Sequence, residues 1–159
     1  MDEMTRVERF RNLTEDERIR PENLLETMSA FAAYDAKQQA SLEAGRVAAT
    51  FQRAREKLGK GRVHDGLYMA ALVDTLECME KQIYEHYRAV ADLLLEAAQS
   101  WLQSEPKADA LAVYAVLKGV RLGLLDEEKY MPPALKAFGE LNTQSKAYSW
   151  VCRERGNCR

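Results

Sequence analysis

Asp65-Gly66-Leu67-Tyr68-Met69-Ala70-Ala71-Leu72-Val73-Asp74-Thr75-Leu76-Glu77 is the run whose reading decides the fold class. It opens on Asp-Gly, a frequent hairpin turn, yet no alternating strand follows. Leu67, Ala70, Ala71, Val73, Leu76 and Cys78 recur instead at helical spacing, to about Glu80. Asp65 then falls where a helix N-cap belongs. Strand signals are missing elsewhere too, so the expectation is an all-α protein.

Working outward towards the C-terminus, Ile83, Tyr87, Val90, Ala91, Leu94, Leu95, Ala98, Trp101 and Leu102 form the broad apolar face of a second helix. Ser104-Glu105-Pro106 breaks it. A third helix runs from Asp109 to about Leu122 and is apolar nearly all round, as a buried helix is. Gly123 stops it. Asp126 can cap the next turn, and Pro132-Pro133 is expected to open a last helix through Leu135, Phe138 and Leu141. Short connections between such helices imply antiparallel hairpins.

Towards the N-terminus, Met4, Val7 and Phe10 fit a short helix, and Thr14 to Glu17 has the form of a capping box. Pro21 suits a first helical turn. From Leu24 through Met28, Phe31, Val47 and Phe51 to Leu58 an apolar stripe predicts one long helix or two with a bend near Gly45. Gly59-Lys60-Gly61 ends it. The cations thickening towards its end (Arg53, Arg55, Lys57, Lys60, Arg62) read as a solvated face near the negative end of the helix dipole, not as a polyanion surface.

The chain has 159 residues, 47% hydrophobic and 30% charged, with a formal net charge of −2. That is enough for one domain with a real core, and it carries no basic field for nucleic acid. No apolar run is long enough to span a bilayer, and the charged N-terminus lacks the apolar centre of a signal peptide, so the expected compartment is cytoplasmic. Cys78 reads as a small buried apolar residue; Cys152 and Cys158 read as two terminal free thiols, with a small disulfide loop as the alternative. His64 and His86 lack metal-ligand spacing, so no metal is expected.

Two segments carry a resemblance. Gly66 to Glu77 is similar to the G-W-Y-x-M-A-L-V-D-x-L-E segment of glycosyl hydrolase family 88/105, the unsaturated rhamnogalacturonyl and glucuronyl hydrolases. Ala115-Val-Leu-Lys118-Gly-Val-Arg121-Leu-Gly-Leu-Leu-Asp126, with Tyr130, Pro132, Ala137, Phe138 and Leu141, resembles the family's A-L-A-K-G-V-R-x-G-x-L-D stretch and its continuation. The resemblance implies an array of helical hairpins that makes up part of an (α/α)-toroid. It also implies hydration of the C4=C5 double bond of an unsaturated uronyl residue by an Asp acid/base, without metal or organic cofactor. Burial suits a carboxyl group to this role by raising its pKa.

Asp65-Gly-Leu-Tyr-Met69 also resembles the family segment that holds this acid, which makes Asp65 the catalytic candidate; a plain helix cap is the other reading. Arg62 would lie near the sugar carboxylate, His64 would shuttle protons, and Tyr68 would stack on sugar, although its helical spacing also fits a core residue. Leu67 stands where the family has Trp, and Gly61-Arg-Val-His-Asp65 replaces its W-A-R-G-N. Asp74 and Glu77 form an i,i+3 acid pair.

The organisation read from the sequence is an N-terminal helical segment (1–60), hydrolase-like hairpins (61–141) and a polar tail (142–159). The leading expectation is a truncated or diverged uronyl hydrolase acting on unsaturated pectin-derived oligosaccharides. The alternative is a non-catalytic helical interaction or scaffold module that binds neither nucleic acid nor membrane, with a homodimer as its candidate assembly.

Overall fold

The computed structural model describes residues 19–38, 41–104, 109–141 and 146–155. The expected helix at 3–12 and the capping box at Thr14 lie outside the described residues. The described residues are all-helical, with seven α-helices and no strand. They are α1 (Pro21–Gln38), α2 (Ala44–Leu58), α3 (Gly66–Cys78), α4 (Tyr84–Gln103), α5 (Ala110–Arg121), α6 (Glu127–Gly139) and α7 (Lys146–Arg155), with a 3₁₀ turn at Lys60–Arg62 between α2 and α3.

Two rows organise these helices. In the first, α1 packs on α3, α3 on α5 and α5 on α7; in the second, α2 packs on α4. The rows are joined where α4 covers α3, and α6 covers α5. This is a stack of helical hairpins in which each odd helix sits beside the next odd one.

Specific contacts fix the direction within each row. Gly45 at the start of α2 faces His86 in the first turn of α4: a Cβ there would stand 3.1 Å from the imidazole, so only glycine fits without a shift. Ten residues further along both helices, Arg55 pairs with Glu96 through two 3.0 Å bonds across 41 residues of sequence. The two helices therefore run parallel and in register. The same holds for α3 and α5. Gly66 meets the Asp109 carboxylate at their N-terminal ends, and Glu77 meets Arg121 at their C-terminal ends.

One continuous core runs from Ile19 to Val151. Its largest fully enclosed side chains are Trp101, Tyr68, Tyr130, Phe31 and Phe51, each contributing roughly 1.5–3 kcal/mol of burial. Among the described residues, α1 is the most extensive partner of α3.

Several local readings change. Of the two forms expected for the stripe from Leu24 to Leu58, the structure has two helices, with Gly45 in the first turn of the second. Pro132 and Pro133 do not open a helix. Asp126 caps α6 through Glu128 N–H, and both prolines lie inside it. The stretch read as a polar tail holds α7, whose Val151 and Cys152 are buried while Trp150 packs on Tyr114 at 5.8 Å between ring centroids. Cys152 is disulfide-bonded, not free; Cys158 lies outside the described residues. Cys78 is free and half-buried.

α2 receives its cap from the preceding helix. Asp35 is 2% exposed, and both its carboxylate oxygens accept from Glu43 N–H at 3.1 Å. Burial raises its pKa above the ordinary 3.8, outweighing that bond. Asp35→Ala is expected to cost about 1–2 kcal/mol in urea denaturation, as the loss of a helix cap does. Because the folded pKa is raised, ionisation works against folding. The stability of wild type relative to Asp35→Asn should be greatest below the unfolded pKa and fall as pH rises through the raised value.

Candidate functional site

The four residues singled out from the sequence surround the entry to α3 but face different ways. Arg62 is exposed in the 3₁₀ turn. His64 is half-buried, with Nδ1 2.9 Å from the Ser100 hydroxyl on α4. Asp65 is the N-cap of α3, its Oδ1 accepting from Tyr68 N–H at 3.2 Å. Tyr68 is 0% exposed and stands edge-on to Phe51, with ring centroids 6.3 Å apart. Its ring therefore offers no open face to a sugar. Burial pushes its phenol well above the usual range, with the Glu96 carboxylate adding to the effect and Arg55 opposing it. The Tyr68 hydroxyl is enclosed without a hydrogen-bond partner.

The densest cluster of interacting charge lies further along α3, where the two segments that carry the resemblance meet. Lys118, 6% exposed, donates from Nζ to Asp74 Oδ1 at 2.7 Å and to Tyr114 OH at 3.1 Å, and it pairs with Glu77 Oε1 at 3.2 Å. The Tyr114 hydroxyl donates to the same Asp74 oxygen at 2.5 Å. Arg121 continues the chain of pairs outward, to Glu77 at 3.1 Å and to Glu154 of α7 at 2.6 Å. Three odd helices are tied together by one alternating run of acids and bases.

Helical spacing produces this match. Asp74 and Glu77 share a face of α3 because they are three residues apart, and Lys118 and Arg121 share a face of α5 for the same reason. Two parallel helices in register then set each acid opposite a base.

The titration behaviour follows from these contacts. Burial alone would lower the Lys118 ammonium, but the bonds to Asp74 and Tyr114 hold it above its ordinary value. Burial, then Asp74, pushes the Tyr114 phenol up. Burial would raise Glu77, yet Arg121 and Lys118 together keep its carboxyl below the usual range. Such a cluster holds fixed charges.

Among the described residues no group of three or more His, Cys, Asp or Glu side chains is placed to hold a metal ion, and no helix is long and apolar enough to cross a membrane. No family model, curated protein or solved structure matches the chain.

Sequence reasoning noted the acid pair and both matched segments without joining them. The signal was present in the equal i,i+3 spacings of 74/77 and 118/121. Nothing in the sequence singles out Ser100.

Lys118→Met should destabilise by about 2–3 kcal/mol in urea, less than a fully buried pair because Asp74 keeps part of its carboxylate in water. Adding Asp74→Asn should recover part of that loss, which a double-mutant cycle measures. Tyr68→Phe removes an enclosed, unpartnered hydroxyl and should leave stability unchanged or raise it by up to about 1 kcal/mol.

Proposed function

We propose that this chain is a helical interaction or scaffold module built from stacked hairpins, and that it does not perform uronyl hydrolysis. The observation that carries this reading is where the resemblance residues go. Asp74, Glu77, Lys118 and Arg121 are taken up in pairing α3 with α5 and α7, Asp65 caps a helix, and Tyr68 is enclosed. Stacked helical hairpins serve widely as extended binding surfaces, because each unit adds exposed area while contacting only its neighbours.

One observation favours a second reading. The two matched segments meet across a single helix interface, which supports descent from the unsaturated uronyl hydrolases with the scaffold kept. If the chemistry survives, Asp65 is its acid and an unsaturated uronyl oligosaccharide its substrate.

Incubation with unsaturated digalacturonate or an unsaturated glycosaminoglycan disaccharide separates the two. The expected result is no loss of the ultraviolet absorbance of the C4=C5 bond. Turnover by wild type that Asp65→Asn abolishes, with folding intact by circular dichroism, would establish the hydrolase reading. Light scattering of the purified chain is expected to show self-association if the module works as a homodimer.

A further inference from the structure

Several hydroxyl groups in or at the ends of these helices bond their own backbone. Thr27 donates to Asn23 C=O at 2.6 Å, Thr50 to Arg46 C=O at 2.8 Å and Ser104 to Trp101 C=O at 2.7 Å. That is the usual local bond of a helical Ser or Thr. Ser100, inside α4, departs from it: its Oγ lies 2.9 Å from His64 Nδ1, 36 residues earlier.

The backbone of His64 is held from both sides along the chain. Val63 before it is 2% exposed. Asp65 after it donates its N–H to Arg62 C=O at 3.0 Å and caps α3. Ser100 is held by the helix that carries it. An oxygen nucleophile on a helix and a nitrogen base in the turn before α3, within hydrogen-bond reach of each other, is the pairing that activates serine. Both side chains are half-buried, so neither is sealed in the core. Among the described residues no carboxylate bonds the second ring nitrogen, which makes this a dyad.

We propose that Ser100 and His64 form a nucleophile–base pair that accepts acyl groups from small activated esters. In the tautomer with the ring proton on Nε2, His64 Nδ1 is the acceptor. Ser100 Oγ attacks the ester carbonyl carbon and its proton passes to Nδ1. The tetrahedral centre collapses, the bond from carbon to the leaving oxygen breaks, and that oxygen takes the proton from the imidazolium. Water then attacks the acyl-serine with His64 again as base, releasing the carboxylic acid and restoring the hydroxyl. This chemistry is separate from uronyl hydrolysis and uses none of the Asp74–Lys118 cluster.

The test is labelling of the full chain with a reporter-tagged fluorophosphonate, in which the Ser100 Oγ–P bond forms, fluoride leaves and His64 takes the proton. Peptide mass mapping should place the label on Ser100 in wild type, and Ser100→Ala should carry none. His64→Gln should label at least about tenfold more slowly, the loss expected on removing a general base. Absence of label at Ser100 in folded wild type, or His64→Gln labelling at the wild-type rate, would overturn the assignment. If His64→Gln does not fold, wild type against Ser100→Ala decides the question alone.

Discussion

A lysine ammonium enclosed at 6% exposure is the constraint around which the first row of helices is arranged. Taking that charge out of water is costly unless the site returns several good contacts. Here Tyr114 on the same helix and Asp74 and Glu77 on α3 return them, and the two carboxylates do so only while α3 and α5 lie parallel with their turns aligned. A slip of one residue on either helix would rotate a carboxylate away and leave Lys118 unpaired. The apolar surfaces of α3 and α5 tolerate many arrangements; the charge accepts very few. Packing therefore gives the bulk of the stability, and the polar cluster selects one register.

Parallel packing has an electrostatic cost of its own. Neighbouring helices that run the same way bring like dipole ends together. The sequence answers at both ends of the central pair. Asp65 and Asp109 cap α3 and α5 where the positive ends meet, while Arg121 occupies the last turn of α5, where the negative ends meet. The second row repeats part of the pattern, with Arg55 and Lys57 in the last turn of α2. Asp65 thus has a physical task that would remain with all catalysis absent.

Elements with strong local signals were legible in the sequence. Asp65 as a cap, the broad face of α4 and the all-round burial of α5 all followed from periodicity and capping chemistry. The two prolines of α6 misled because Asp126, six residues before Pro132, already starts the helix. α7 was hidden because its polar residues outnumber Trp150, Val151 and Cys152, the ones that pack. The parallel rows were invisible for a different reason: equivalent positions hold unlike residues, Gly45 against His86 and Arg55 against Glu96, so no repeat shows in the letters. At the candidate site, adjacency in sequence said nothing of direction. Tyr68 lies three residues beyond Asp65 and turns fully inward, whereas Arg62 stays in solvent.

The near-constant sequence offset between partners, 41 residues from Arg55 to Glu96 and 44 from Asp74 to Lys118, has an evolutionary consequence. Each odd helix meets the next odd one along the stack. Duplicating one such unit lengthens the stack while leaving the registers already formed in place. Architecture of this kind can grow or shrink by whole hairpins at little structural cost.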